Sequence, residues 1–181
     1  MATHDVLHGI GVSAGTAAAP AAIVQPAPGV DTSEPGSVDA AADGARVREA
    51  LAAVASRLSE RAAKAPEETK AILKATAQLA GDRGLAKAVD KKLKKGLGIT
   101  QAVHDAVEDY AQMLRSLGGY MAERATDLYD VRDRAICELR GLPEPGVPAF
   151  DGTVILVARD LAPAETATLN PETVLGIITE V

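Results

Sequence analysis

The sequence predicts an α+β protein in which an antiparallel helical bundle is inserted between two short segments that fold together as a β/α unit. Three observations predict it. The middle of the chain repeats apolar residues at helical spacing, both ends carry short β-branched runs, and stretches rich in Pro and Gly separate the three regions. Of the 181 residues 47% are hydrophobic, yet there are only three Tyr, one Phe and no Trp. Alanine makes up much of the apolar content, and it favours helices that approach one another closely.

Residues 1–24 read as extended chain with a glycine-rich turn: Val6-Leu7 and Ile10–Val12, then Gly15, then Ala21–Val24. A hairpin or a pair of strands is expected there. Residues 25–36, broken by Pro26, Pro28, Gly29, Pro35 and Gly36, have the composition of a linker.

The helical region covers residues 37–141. A first helix is expected from Ser37 to about Ala63, since Val47, Leu51, Val54 and Leu58 recur on one face. A second starts with Pro66 at its first position, followed by Glu67 and Glu68 at the positive end of the helix dipole, and stops near Gly81. Asp82 can cap a third helix reaching Gly96. Thr100 can cap a fourth, whose apolar positions are Val103, Val107, Tyr110, Met113, Leu114 and Leu117. Gly118-Gly119 should break it before a last helix from Tyr120 to Leu139.

A second linker, residues 142–152, contains Pro143, Pro145, Gly146, Pro148 and Gly152. Residues 153–181 then read as β-α-β. Val154–Ala158 and Leu175–Thr179 have the continuous apolar character of strands buried on both faces, and a short helix is expected over Ala164–Leu169. Neither end segment is long enough to bury a core alone, so the two should fold against each other.

The net charge of −6 argues against nucleic acid as a partner. The longest apolar run, Ala17–Val24, is too short to span a membrane and lacks the basic segment of a signal peptide, so a cytoplasmic protein is expected. Cys137 is the only cysteine, which excludes an internal disulfide, and its helical neighbours Ile136 and Leu139 mark it as a small buried residue. Lys87, Lys91, Lys92, Lys94 and Lys95 form a basic run near the end of the third helix, where cations suit the helix dipole and a solvated face is expected.

The second helix is apolar on two sides: Ala71, Ile72, Ala75 and Leu79 form one stripe, and Leu73, Ala77 and Ala80 another. Either both stripes are core, or one fills the bundle and the other meets a partner.

Three blocks carry a family resemblance. His8-Gly9-Ile10-Gly11-Val12-Ser13-Ala14-Gly15 resembles the opening G-I-x-x-S-x-G of Enzyme I, the phosphoenolpyruvate-protein phosphotransferase of the bacterial phosphotransferase system. Glu123-Arg124-Ala125-Thr126-Asp127-Leu128-Tyr129-Asp130-Val131 is similar to its E-R-A-x-D-x-x-D-V/I signature. Asp160–Ala167 and Leu175–Thr179 resemble its D-L-x-P-S-E/D-T-A and L-G-F/I-x-T blocks, with Ala162 and Ala164 standing where the family usually has hydroxyl side chains.

The resemblance implies that residues 1–24 and 153–181 are parts of a swivelling phosphohistidine domain and that residues 37–141 are an inserted domain which binds the small phosphocarrier protein HPr. It implies transfer of a phosphoryl group from phosphoenolpyruvate through a histidine to HPr, for sugar uptake. The C-terminal phosphoenolpyruvate-binding domain of the full-length enzyme uses magnesium, and no cofactor is expected within this chain. The family's G-G-x-x-S-H histidine follows the L-G-x-x-T strand, and the sequence ends at Val181 before it. His4, His8 and His104 lie outside any glycine-rich loop that could present phosphate-binding amides, so this chain alone should dock HPr without autophosphorylation.

By the same resemblance Thr166 is the orienting partner of that histidine, the alternative being a hydrogen bond within its own short helix. Glu67, Glu68, Ala71, Ile72, Ala75, Leu79 and Asp82 are the expected HPr-binding residues, with carboxylates steering a basic carrier face. Thr76 stands where many members have a histidine, and Arg124 is assigned to a salt bridge within the bundle. Met1 lies close to the first block, which favours the sugar type over the nitrogen type with its preceding sensory domain. A non-catalytic helical interaction module, or another phosphorelay fusion with an Enzyme I-like segment, is the alternative.

Overall fold

The computed structural model describes residues 9–31, 33–148, 150–159, 161 and 169–180, without the side chains of Glu68, Tyr120 and Glu123. The elements run β1 (Ala21–Ile23), α1 (Ala40–Lys64), α2 (Glu67–Ala80), α3 (Arg83–Leu93), α4 (Ile99–Leu117), α5 (Gly119–Arg140), β2 (Val154–Ala158) and β3 (Val174–Thr179). Contacts divide the chain into two compact units, Met1–Val24 with Val147–Val181 and Gln25–Gly146.

The helical unit follows from its apolar spacing. Val47, Leu51, Val54 and Leu58 of α1 meet Leu85, Val89 and Leu93 of α3, Val103, Val107 and Leu114 of α4, and Leu128, Val131 and Ile136 of α5 in one core. Ala77, Ala80, Ala102, Ala106, Ala111, Ala125 and Ala135 fill the spaces between them, so alanine sets the helix spacing where aromatic residues are few. α4 packs on α5, α1 on α2, and α3 on both α1 and α4. Cys137 is buried, as its helical neighbours predict, and burial together with nearby Asp133 pushes its thiol pKa up.

Helix ends refine the expectations. Asp39 rather than Ser37 caps α1, its carboxylate accepting from the amides of Ala41 and Ala42. Pro66 occupies the cap position of α2 and not its first turn. Asp82 caps α3 as predicted, accepting from Gly84 N at 2.6 Å and Leu85 N at 3.0 Å. Thr100, expected as a cap, lies inside the first turn of α4 and is buried; its backbone N and its hydroxyl both donate to Glu34 Oε2, at 2.8 and 2.7 Å. A carboxylate 66 residues upstream therefore takes over the capping role. Gly118 breaks the chain between α4 and α5 at φ 71° and ψ −177°, a conformation essentially reserved for glycine.

In the other unit, β1, β2 and β3 form a parallel sheet in that order, with Ala21 opposite Ile155 and Ile155 opposite Gly176. The expected hairpin near the start is not what forms among the described residues. β1 pairs in parallel with β2 instead, and Ile10 and Val12 lie in no strand, 85% and 96% exposed. Val6-Leu7 fall outside the described residues, as does most of the helix expected over Ala164–Leu169. Val154, Leu156 and Ala158 of β2 are buried while Ile155 and Val157 are only half-buried, so one face of the strand is packed, not two. Among the described residues β3 is an edge strand, with Leu175, Ile177 and Ile178 exposed, where the sequence suggests a second fully buried strand.

Candidate functional site

α2 presents two unlike faces, and its sequence places them. Leu73 packs half-buried against the core, while Thr76, Ala77 and Ala80 are buried. A buried threonine hydroxyl needs a partner, and Thr76 Oγ1 donates to the carbonyl of Ile72 at 3.1 Å. Thr76 therefore faces the interior of the bundle and leaves the outer surface to other residues.

The outer surface begins at Glu67, whose side chain is 88% exposed and lies 3.2 Å from Lys70 Nζ. Ala71 and Ile72 follow it in solvent, with Ile72 59% exposed. Ala75 and Leu79 are half-buried, and Leu79 also touches the core. The two predicted stripes thus separate into an inner face and an outer one, with Leu79 on the border. Glu68 belongs to α2, but its side chain lies outside the described residues, and Thr166, His4 and His8 lie outside them altogether.

Asp82 is a structural residue first. Besides capping α3 it accepts from the Tyr110 hydroxyl of α4 at 3.3 Å, and burial together with the neighbouring Asp82 charge pushes the Tyr110 pKa up. His104 lies half-buried on α4, its Nδ1 3.2 Å from the Asp105 carboxylate.

Apolar surface appears at a second place, where sequence spacing alone assigns core. Met113 and Leu117 of α4 continue its apolar stripe but are 45% and 64% exposed, and Met121 at the start of α5 is 43% exposed. Among the described residues this part of the stripe is left open to solvent. α5 packs against α2.

The signature block of α5 is built from alternating core and charge. Ala125, Leu128 and Val131 are buried, while Arg124 Nη1 donates to Asp127 at 2.7 Å and Arg134 Nε to Asp130 at 2.8 Å. The pairing of Arg124 within the bundle is as expected. Tyr129 lies between the Arg115 and Arg132 guanidinium groups, 5.3 and 4.9 Å from the ring centre, and donates its hydroxyl to Glu108.

A helical bundle and a small parallel sheet, with one helix exposing an acidic and apolar face, define an α+β protein with a candidate docking surface. Residues 8–124 match the family described as PEP-utilising enzyme, N-terminal, and the chain belongs to that family. It is 44% identical over 142 residues to a phosphoenolpyruvate-protein phosphotransferase of Streptomyces coelicolor, an alignment covering 78% of this chain and 26% of the relative. It is 33% identical over 129 residues to a protein of the same name from Listeria innocua, covering 70% of this chain and 23% of that one. The chain thus spans about a quarter of the length of these curated relatives. Among solved structures it is similar to the solution structure of an Enzyme I protein, with a TM-score of 0.65 at 29% identity, covering 89% of this chain and 70% of that one. It also resembles the N-terminal domain of Enzyme 1 - Nitrogen, with a TM-score of 0.58 at 25% identity, covering 89% of this chain and 68% of that one.

Proposed function

We propose that this chain is the carrier-docking part of a phosphoenolpyruvate-protein phosphotransferase, and that α2 receives the phosphocarrier HPr. The observation that carries the proposal is Ile72, a large apolar side chain left 59% exposed on a helix whose opposite face is buried. Glu67, in the first turn of the same helix, is also exposed to solvent. Apolar contact would supply the affinity, and the carboxylates would steer a basic carrier surface. Met113, Leu117 and Met121 add exposed apolar surface at the corner of the neighbouring helices.

The phosphoryl chemistry, with phosphoenolpyruvate and magnesium, would belong to other portions of the full-length enzyme. Thr166 would orient the phosphorylated histidine by accepting or donating one hydrogen bond to its ring. The test is an NMR titration of the isotope-labelled chain with cognate unphosphorylated HPr. Shifts clustering on Glu67 to Leu79 and on the α4–α5 corner support docking there. A folded chain whose spectrum is unchanged at millimolar HPr overturns it.

A further inference from the structure

Where the chain leaves the helical unit, one carboxylate gathers three guanidinium groups. Glu144 Oε1 accepts from Arg57 Nε at 2.5 Å, and its Oε2 accepts from Arg134 Nη1 at 2.9 Å and from Arg61 Nη2. The arginines come from two helices, Arg57 and Arg61 from α1 and Arg134 from α5. α5 also supplies two balancing carboxylates: Arg57 Nη2 reaches Glu138 at 2.7 Å and Arg134 Nε reaches Asp130 at 2.8 Å. The Glu144 side chain is 20% exposed and that of Arg134 14%, so these bonds are better shielded from water than an ordinary surface pair.

Glu144 sits in a segment with little else to hold it. After the left-handed Gly141 and the bond from Leu142 N to Cys137 O, Pro143 and Pro145 contribute no N–H. Two residues beyond Glu144, Gly146 exchanges both backbone bonds with Gln25, at 2.8 and 3.1 Å. Arg140, at the end of α5, donates to the carbonyl of Gly29 on the incoming segment. The entering and leaving strands of the helical unit are therefore tied to each other, and the tie is anchored to the bundle through Glu144.

We infer that Glu144 is an electrostatic clasp that fixes the paired entrance and exit of the helical unit to α1 and α5. Its function is to keep Gln25 and Gly146 fixed to the bundle. The inference does not depend on HPr docking.

Amide hydrogen exchange on the 181-residue chain tests it, comparing wild type with Glu144→Gln and Glu144→Ala. Glu144→Gln keeps the size and removes the charge. The Gln25 and Gly146 amides should exchange at least about tenfold faster in both variants, while Val54 and Val107 in the core shift much less, as expected for loss of charge-assisted hydrogen bonds. Raising potassium chloride from about 0.1 to 1 M should accelerate the same two amides in wild type and not in Glu144→Gln, because salt screens the pairing. If Gln25 and Gly146 keep their wild-type exchange in Glu144→Gln, or accelerate only in step with the core, the clasp is overturned.

Discussion

At the scale of single residues, the carboxylates decide more than their exposure suggests. Burial tends to raise the Glu144 pKa, but Arg61, Arg134 and Arg57 outweigh it and hold the carboxyl below its ordinary value of 4.5. A depressed folded pKa contributes stability that is present above the unfolded value and is lost as pH falls through the folded one. The stability difference between wild type and Glu144→Gln should therefore be constant near neutral pH and shrink below about pH 4.5, measured by urea unfolding across a pH series. A difference that grows on acidification would contradict the arrangement. Glu34 makes a second case. Glu34→Ala removes the acceptor for both the backbone N and the hydroxyl of buried Thr100 and should cost about 1–2 kcal/mol, read as a lower urea midpoint at unchanged slope. Equal midpoints would mean that water replaces the carboxylate without loss. Neither carboxylate's role is legible locally, because Glu34 acts on a helix 66 residues away and Arg57 lies 87 residues before Glu144.

At the scale of elements, the break between α4 and α5 is set by Gly118. Its φ of 71° with ψ of −177° strains any side chain, so Gly118→Ala should cost about 1–3 kcal/mol, seen as a lower thermal midpoint. An unchanged midpoint would show that the turn readjusts freely. Both this break and the five helices are legible in the sequence, since apolar spacing, Asp82 and the Gly118-Gly119 pair are local signals. What is not legible depends on distant chain. The Ala21–Ile23 strand carries no sign that its neighbour is Val154–Ala158 rather than a nearer segment, which is why a hairpin is the natural local expectation. Helical periodicity likewise assigns Met113 and Leu117 to the core, because spacing records which face a residue shares and not whether another helix extends far enough to cover it. The outer face of α2 is half legible for the same reason. Two apolar stripes are visible in the sequence, but only packing shows that Thr76, Ala77 and Ala80 turn inward and Ile72 outward.

At the scale of the whole molecule, a chain of net charge −6 is suited to attract a basic protein at long range, while the contact itself must be short-range and apolar. The proposed docking on α2 therefore separates into two measurable parts. Glu67 is 88% exposed and pairs with neighbouring Lys70 across 3.2 Å, so it contributes field more than a fixed contact. Glu67→Gln should slow HPr association several-fold at low salt, with dissociation nearly unchanged, and the difference from wild type should vanish as ionic strength rises. Ile72 is the opposite case. Its substitution by alanine removes apolar area at the centre of the proposed surface and should raise Kd about tenfold, or about 1.4 kcal/mol, through faster dissociation at every salt concentration. Because Ile72 is exposed in the free protein, Ile72→Ala should leave the thermal midpoint close to wild type, so lost binding cannot be ascribed to unfolding. Stopped-flow mixing with labelled HPr resolves both rates. If Ile72→Ala binds as tightly as wild type while Glu67→Gln remains salt-sensitive, HPr is attracted by the charge of this chain but docks on a face other than α2.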